Sequence, residues 1–346
     1  MNILVTGAKG FVGSRLVAAL KNVRENGHYR HPYLRIGEIY ECDKETDSEE
    51  IAEFCKQAEF VFHLAGANVA ENFTELTEAN YGSLTRLLYT LEECKSKAPV
   101  MYASTVEACT EGPYEKSDFG LIKRGCEHRV FLYGKEKKLD VCVYRFPQIV
   151  GAGAPPGGHG TVATLCDRIA KGLPIEDIFL KEQDRKEDSR KEDNRKERMS
   201  DDPVREDQEC EELPGEDWIC EGALCEVQTD AAQPDEEQTN GGSLKEEMEL
   251  VFVDDLLEEL LNALDGRPHH CEFEDERQET CPYGKFCGVP LTYWTTREEL
   301  IALLRKFHDT DPKKMEDSLG KENFEKKLYR MYCSYIPGGK KTRRSY

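Results

Sequence analysis

The first twenty residues constrain the fold more than any other part of the chain. The segment NILVTGAKGFVGSRLVAAL runs from an apolar stretch through a glycine-rich turn into an amphipathic pattern typical of a helix. Gly7 permits a tight turn, Gly10 lets the backbone approach a pyrophosphate, and Gly13 lets the helix pack closely on the strand. The helix N-terminus adds N–H groups and the positive end of its dipole. This unit predicts a dinucleotide-binding site that includes Phe11 and Val12.

The alternation of strand and helix patterns continues to about residue 180. Strand patterns are IGEIYE, EFVFHLA, VMYAST and DVCVYRF, and helical patterns between them are SEEIAEFCKQ and YGSLTRLLYTLEECK. Strands that alternate with helices form a parallel sheet covered by helices on both faces. We therefore expect an α/β fold, a doubly wound parallel sheet of the Rossmann type.

A charged segment, residues 183–247, interrupts this pattern. The repeat DRKEDSRKEDNRKER is followed by an acidic stretch, residues 201–247. This stretch contains 17 acidic residues and only two basic ones, Arg205 and Lys245, so its net charge is −15 of the −21 carried by the whole chain. With few large apolar residues, the segment cannot offset its ordering entropy. We expect a disordered insert between a domain at 1–182 and its continuation at 248–346. It acts either as a solvated tether or as a binding segment for an electrostatic partner.

Several partner and site classes find no support in the composition. No run of ~18 apolar residues is present, so we expect no membrane insertion. The N-terminus opens as a strand rather than a signal peptide, which predicts a cytoplasmic protein. Nothing basic tracks along one face, so nucleic acid is not expected as a partner. The fourteen cysteines form no C-x-x-C pair and His269-His270 has no carboxylate or thiol at ligand spacing, so we expect reduced thiols and no metal.

Two further loops extend the predicted cofactor site. Asp43, after the second strand, would hydrogen-bond the adenosine ribose hydroxyls and repel a 2′-phosphate, which favours NAD. Lys44 beside it would instead favour NADP. After the third strand, Leu64, Ala65 and Gly66 form a small-residue turn against which the cofactor can lie. The predicted cofactor is therefore NADP or NAD.

Taken together, these motifs resemble the extended short-chain dehydrogenase/reductase family, which contains NAD-dependent epimerases, dehydratases and reductases of nucleotide sugars. The matching segments are T-G-x-x-G-x-x-G at 6–13, HLAG at 63–66, Asn80, Ser104-Thr105, YRFPQIVG at 144–151 and FVDD at 252–255. The likeness covers nearly all of the chain except the insert. It is strongest to a reductase domain of capsular polysaccharide synthesis, in which a cupin domain follows; we expect no cupin domain here.

The resemblance implies a reaction and a substrate. The expected reaction is reduction at C4 of a UDP-linked 4-keto-6-deoxy-N-acetyl-hexosamine, in capsular or surface polysaccharide synthesis. The nucleotide sugar would lie between the carboxyl edge of the sheet and a smaller C-terminal substrate-binding region, with Arg145 and Gln148 in contact with it. A homodimer is also expected. The alternatives are an epimerase or dehydratase of the same family, or a non-catalytic dinucleotide-binding protein that has lost its proton donor.

The resemblance also implies a catalytic trio. In the family a tyrosine donates a proton, a lysine four residues later lowers the phenol pKa from ~10 and binds the nicotinamide ribose, and a hydroxyl holds the substrate oxygen. Thr105 matches the hydroxyl and Lys123 matches the lysine. The tyrosine position four residues before Lys123 holds Phe119, which has no proton to give.

Tyr114 is the alternative phenol. It lies nine residues after Thr105, the spacing of the capsular reductases, and would have to fold back over Lys123 from before the helix. Three outcomes stay open: an enzyme that uses Tyr114, an enzyme that uses water or a substrate group as donor, and a catalytically silent binder.

Overall fold

The computed structural model describes residues 1–109, 117–157, 161–175, 247–269, 283–321 and 323–337. Residues 1–175 and 244–346 belong to one compact unit. The predicted disordered insert at 183–247 lies outside the described residues, except that Glu247 is the first residue of a strand. The domain boundaries inferred from sequence therefore stay predictions.

Nine strands and ten α-helices form within the described ranges. The strands are β1 (Ile3–Thr6), β2 (Ile39–Cys42), β3 (Phe60–His63), β4 (Val100–Thr105), β5 (Val141–Phe146), β6 (Gln148–Val150), β7 (Glu247–Phe252), β8 (Gly284–Cys287) and β9 (Tyr293–Thr296). The helices are α1 (Phe11–Asn26), α2 (Ser48–Gln57), α3 (Phe73–Thr77), α4 (Ser83–Glu93), α5 (Asp118–Lys137), α6 (Thr161–Ala170), α7 (Val253–Leu264), α8 (Arg297–Asp309), α9 (Pro312–Ser318) and α10 (Phe324–Cys333).

The main sheet has six strands in the order β2-β1-β3-β4-β5-β8, and every neighbouring pair is parallel. Side chains of β1 alternate between two buried clusters: Ile3 and Val5 join α1 and α7 on one face, and Leu4 joins α4 and α5 on the other. A strand that is apolar on both faces needs helices on both sides. The predicted doubly wound α/β fold is confirmed.

The strand order reverses at β1, which lies between β2 and β3. The chain leaves β1 towards one side of the sheet and returns to the other side, so the loops after β1 and β3 diverge and leave a crevice at the carboxyl edge. A buried hydrogen bond of 2.8 Å between Thr6 Oγ1 and His63 Nδ1 joins the ends of the two strands. This crevice is where the glycine turn opens.

A second, three-stranded sheet joins the two parts of the chain on either side of the insert. β6 pairs in parallel with β7, and β7 pairs antiparallel with β9. The N-cap Thr296 begins α8 with a capping box, in which its Oγ1 accepts from Glu299 N at 3.2 Å and Glu299 Oε2 accepts from Thr296 N at 3.0 Å. Helices α8 and α10 pack against α6. The insert thus interrupts one fold.

The described ranges contain neither a membrane-spanning helix nor a disulfide. None of the helices there is long and apolar enough to cross a lipid bilayer. The nine cysteines in those ranges are all free thiols.

Candidate active site at the carboxyl edge of the sheet

The glycine turn after β1 leaves no room for side chains. Gly7 has a positive φ of 70°, and a Cβ there would lie 2.8 Å from the backbone N of Ala65. A Cβ on Gly13 would strike the carbonyl oxygen of Gly7, whereas Gly10 N donates to that oxygen at 2.9 Å. The N-cap Gly10 supplies no side-chain hydrogen bond to the first turn of α1. The turn therefore presents bare backbone N–H groups and fits a pyrophosphate.

Phe11 and Val12 are the first two residues of α1. Both are partly buried and pack against the core cluster that contains Ile3 and Val5. Their side chains anchor the helix to the sheet, and their position in the first turn places their backbone N–H groups at the predicted phosphate site.

Asp43 follows the end of β2 and is held by the glycine turn itself. Lys9 Nζ lies 2.6 Å from Asp43 Oδ2 and 2.8 Å from Glu45 Oε2, and Glu45 N donates to Asp43 Oδ1 at 2.8 Å. The hydrogen bond from Lys9 lowers the pKa of Asp43, and the two carboxylates raise the pKa of Lys9. Asp43 is thus an ionised acceptor, while Lys44 beside it is exposed. Sequence reasoning missed Lys9, whose partners are 34 and 36 residues away in the chain.

The turn after β3 closes the other side of the crevice. Leu64 N donates to Thr6 O and Ala65 N donates to Thr6 Oγ1, both at 3.3 Å. Gly66 has a positive φ of 157°, and a Cβ there would lie 2.5 Å from Asn80 Oδ1 and 3.8 Å from Lys123 Nζ. The glycine turn, the β3 turn and Lys123 of α5 therefore converge at one place.

Asn80 adds an acceptor to this place. It lies in a π-helical turn, Glu78–Gly82, and is buried. Its Nδ2 donates to Ala67 O at 2.8 Å and to Leu76 O at 2.9 Å, whereas Oδ1 has no hydrogen-bond partner among the described residues. Because this buried oxygen beside Gly66 accepts no hydrogen bond from the described residues, it could accept one from a bound ligand.

Lys123 projects from α5 into the same place. Its Nζ donates to Ala103 O at 2.8 Å and to Tyr102 Oη at 3.1 Å, at the carboxyl end of β4. Burial lowers the pKa of Lys123 to about 8. An ammonium has three donors, so these two contacts leave one N–H for a ligand.

Phe119 stands where the resemblance requires a phenol. Its ring centroid lies 5.7 Å from Lys123 Nζ, as expected for residues four apart on one helix face. Ser117 holds the helix start in place, because its hydroxyl accepts from Gly120 N at 3.1 Å and bonds Glu107 Oε2 at 2.8 Å. Tyr114 lies outside the described residues, and its catalytic role stays a prediction.

Thr105 ends β4 at the same edge, two residues beyond the carbonyl that Lys123 contacts. The residue is partly exposed, and its Oγ1 accepts from Glu107 N at 3.3 Å, which caps a short 3₁₀ turn at Val106–Ala108. The hydroxyl thus has a local structural task as well as a position near the crevice. Its role towards substrate stays a prediction.

The predicted substrate residues lie deeper and farther along the chain. Arg145 is buried and forms a two-pronged ion pair with Glu127 at 2.9 and 2.7 Å, and Ser104 Oγ donates to the same carboxylate at 2.6 Å. These bonds use several of the guanidinium N–H donors to hold β5 against α5. Gln148 is partly exposed in β6, opposite Leu250 of β7. Substrate contact by either residue stays a prediction.

His63 is a site residue that sequence reasoning did not single out for chemistry. It is 1% exposed, hydrogen-bonds Thr6, and stacks on Tyr102 with ring centroids 5.8 Å apart. Burial, and then the Lys123 charge, lower the pKa of His63 to about 3, so the imidazole is neutral. It supports the floor of the crevice without adding charge there.

Comparisons with known proteins agree with this geometry. Residues 3–185 match the NAD dependent epimerase/dehydratase family. The UDP-2-acetamido-2,6-beta-L-arabino-hexul-4-ose reductase of Pseudomonas aeruginosa is 31% identical over 177 residues, which cover 51% of this chain and 43% of that protein. The chain therefore matches less than half the length of this relative.

Two solved structures show the same fold. The capsular polysaccharide assembling protein CapF from Staphylococcus aureus is 24% identical with a TM-score of 0.60, over 100% of this chain and 67% of that one. The UDP-glucose 4-epimerase of Thermus thermophilus in complex with NAD is 18% identical with a TM-score of 0.56, over 98% and 99%. At these identities the likeness concerns the fold alone. With the family match, the glycine turn and the Lys123 crevice, it follows that the chain belongs to the NAD-dependent epimerase/dehydratase family.

Proposed function

We propose that the protein is an NAD(P)-dependent reductase of a nucleotide sugar. The proposed substrate is a UDP-linked 4-keto-6-deoxy-N-acetyl-hexosamine, and the proposed pathway class is capsular or surface polysaccharide synthesis. The Pseudomonas relative is named as a reductase of a UDP-linked hexulose, which supports a sugar-nucleotide substrate of this class. The observation that carries the proposal is the buried Lys123 ammonium beside Gly66, at the carboxyl edge of β4.

The residues of the crevice have separate tasks in this proposal. NADPH or NADH bound there supplies the hydride that reduces the ketone. The glycine turn holds the pyrophosphate, and the ionised Asp43 accepts from ribose hydroxyls. Lys123 uses its remaining N–H towards the nicotinamide ribose and, as an ammonium, lowers the pKa of a nearby phenol. Thr105 orients the substrate oxygen.

We assign the role of proton donor to Tyr114. Phe119 occupies the i−4 position from Lys123 and has no acidic proton. Tyr114 has the spacing from Thr105 seen in the resemblance. A positioned acid contributes about 10²–10⁴-fold to rate, so loss of the phenol has a large and measurable effect.

The contact between Phe119 and Lys123 also favours a second candidate, a non-catalytic binder of dinucleotide. A phenyl ring packed where the phenol would stand leaves the described part of the site able to hold a cofactor and unable to protonate a ketone there. In that case the protein senses or stores the dinucleotide, or holds a pathway partner.

An absorbance assay separates the two candidates. Purified protein is mixed with NADPH or NADH and the UDP-4-keto sugar, and oxidation of the coenzyme is followed. We expect turnover by the wild type and a loss of about 10²-fold or more in kcat for Tyr114→Phe, with coenzyme affinity unchanged. Tyr89→Phe, at a tyrosine that is 60% exposed on α4, is the matched control.

Three results would change the assignment. Full rate in Tyr114→Phe removes Tyr114 as donor and leaves the reductase proposal intact. Coenzyme binding by the wild type without turnover, together with turnover gained in Phe119→Tyr, identifies a silent binder. If the wild type binds neither reduced coenzyme, both candidates are removed.

We also propose that the protein is a homodimer. Light scattering should then give a molar mass twice that of one chain.

A further inference from the structure

A cluster of two histidines and a glutamate lies away from the proposed active site. His28 and His31 belong to the loop between α1 and β2, and Glu258 belongs to α7. Each offers one ligand atom, and these three atoms lie within 4.8 Å of one another. His28 follows the C-terminal end of α1, a helix of 16 residues that is about 24 Å long. The glycine turn is at its other end.

The separations within the cluster match those of ligands on one metal ion. His31 Nε2 lies 3.4 Å from Glu258 Oε1, and His28 Nε2 lies 3.7 Å from Glu258 Oε2. Two ligands at tetrahedral zinc, each bonded at about 2.0–2.1 Å, stand about 3.3 Å apart. The His31–Glu258 separation is close to that value, whereas the His28 contact is longer and involves the other carboxylate oxygen.

The atoms that face each other are buried acceptors without hydrogen bonds. His31 is 1% exposed, and its Nε2 has no hydrogen-bond partner among the described residues. Glu258 Oε1 accepts no well-aligned hydrogen bond from the described residues, and Arg30 Nη1 lies 3.2 Å from it. Two buried acceptors that face each other without donors are unfavourable, and a cation between them would satisfy both atoms.

A second carboxylate fixes the orientation of His31. Its Nδ1 lies 3.2 Å from Asp265 Oδ2, and this contact is a hydrogen bond to the carboxylate in the tautomer that carries its proton on Nδ1. With the proton on Nδ1, the lone pair of Nε2 points towards Glu258. A histidine ligand that donates its other N–H to a carboxylate is the usual outer arrangement of metal sites.

Other cations compete for the same charges. Arg30 Nη1 lies 3.2 Å from Glu258 Oε1, and Arg267 contacts Asp265 and lies 3.4 Å from His31 Nδ1. Both arginine side chains are more than half exposed, at 57% and 59%, so either can turn into solvent. The rival arrangement without a metal is the other tautomer, in which His31 Nε2–H points at Glu258 Oε1, 3.4 Å away.

We propose that His28, His31 and Glu258 bind one divalent transition metal ion, zinc by preference, with water as the fourth ligand. Two imidazoles and one carboxylate form a donor set that suits zinc. The ion would tie α7, which follows the insert, to the loop after α1, and its role is therefore structural. His28 also lines a surface cavity of ≈ 580 Å³, which provides a route for the ion.

A metal titration of the whole chain tests the site. Protein stripped with a chelator is titrated with Co²⁺ and then with Zn²⁺. We expect one equivalent of Co²⁺ to give the visible absorption of a four-coordinate nitrogen and oxygen site, and Zn²⁺ to displace it. A thiolate-to-cobalt charge-transfer band would instead report binding by some of the fourteen cysteines, and a titration that gives only that band overturns the proposal.

Three variants locate the ion. Glu258→Gln keeps the side-chain shape and His28→Gln removes a partly exposed ligand, and each should weaken Zn²⁺ binding tenfold or more. His128→Gln, at an exposed histidine of α5, should leave the affinity unchanged. Circular dichroism and coenzyme binding verify that the variants are folded. We also expect Zn²⁺ to raise the Tm of the wild type and not of Glu258→Gln.

Two outcomes overturn the proposal. One is a stripped wild type that takes up neither Co²⁺ nor Zn²⁺. The other is full Zn²⁺ affinity in both ligand variants. Either outcome assigns the cluster to a direct contact between His31 Nε2–H and Glu258.

Discussion

The side chain of Lys123 is almost completely buried. Only 7% of the residue is exposed, and burial lowers its pKa from 10.5 to about 8. In the unfolded chain the same group titrates near its ordinary value. Between pH 8 and 10.5 the unfolded state therefore binds more protons than the folded state, and stability rises with pH in that window.

A substitution isolates this effect. We predict that the unfolding free energy of the wild type, measured against Lys123→Met, rises by up to about 3 kcal/mol from pH 8 to 10.5. Urea unfolding at several pH values measures both proteins. Lys135→Met, at an exposed lysine of the same helix, serves as control and should show no such trend. A difference between wild type and Lys123→Met that is flat in pH would contradict the buried-lysine interpretation.

At the scale of elements, the β1–α1 unit depends on the contact between Gly13 and the carbonyl of Gly7. A methyl group on Gly13 meets backbone there, which cannot move away as a side chain would. We predict that Gly13→Ala destabilises the protein by about 1–3 kcal/mol and weakens coenzyme binding, because α1 must shift away from the turn. Thermal unfolding and coenzyme fluorescence measure the two effects.

Gly320→Ala provides the comparison for that variant. A Cβ at Gly320 meets nothing within 4 Å, and its φ is not positive. Its Tm should stay within a few degrees of the wild type, as for most surface substitutions. Equal effects of the two substitutions would show that the close approach of α1 to the turn is not what requires glycine.

The Glu127–Arg145 pair joins α5, which carries Lys123, to β5 of the sheet. The two side chains are 0% and 4% exposed. Removing the Glu127 charge takes an ionic partner away from the buried Arg145 guanidinium, so Glu127→Gln should cost about 3–5 kcal/mol in urea unfolding. Glu53→Gln, in an exposed pair with Lys56, should leave the urea midpoint almost unchanged. Similar losses in both variants would argue against a structural role for the buried pair.

At the scale of the whole molecule, the fold closes across the insert. β6 ends at Val150 and pairs with β7, which begins at Glu247. We predict that replacing residues 176–246 with a flexible linker of a dozen residues keeps the fold and the coenzyme affinity. A shorter loop loses less entropy on closure, so stability should rise by about 1–2 kcal/mol. Calorimetry measures the change, and loss of cooperative unfolding would mean that the insert contributes to the core.

Much of the architecture was predictable because its signals are local. The strand patterns and the glycine turn each depend on neighbours within about ten residues, and the structure confirms both. The Phe119 anomaly was also visible in sequence, since it depends on a spacing of four residues along one helix.

Other features depend on residues that are distant in the chain. The Lys9–Asp43 pair spans 34 residues, the Glu127–Arg145 pair spans 18, and the His31–Glu258 contact spans 227. Nothing local marks any of these side chains as a partner. Sequence reasoning accordingly did not identify Lys9, the Glu127 partner of Arg145, or the contact between His31 and Glu258.

The sequence by itself determined that a dinucleotide turn opens a parallel α/β sheet, because glycine positions and apolar periodicity act through backbone geometry over short distances. Only the tertiary structure decided that Lys123 is buried with a lowered pKa against Ala103 and Tyr102, and that His31 and Glu258 face each other. Burial and charge pairing are properties of the packed core, where a low dielectric strengthens each interaction, and the chain order does not encode them locally.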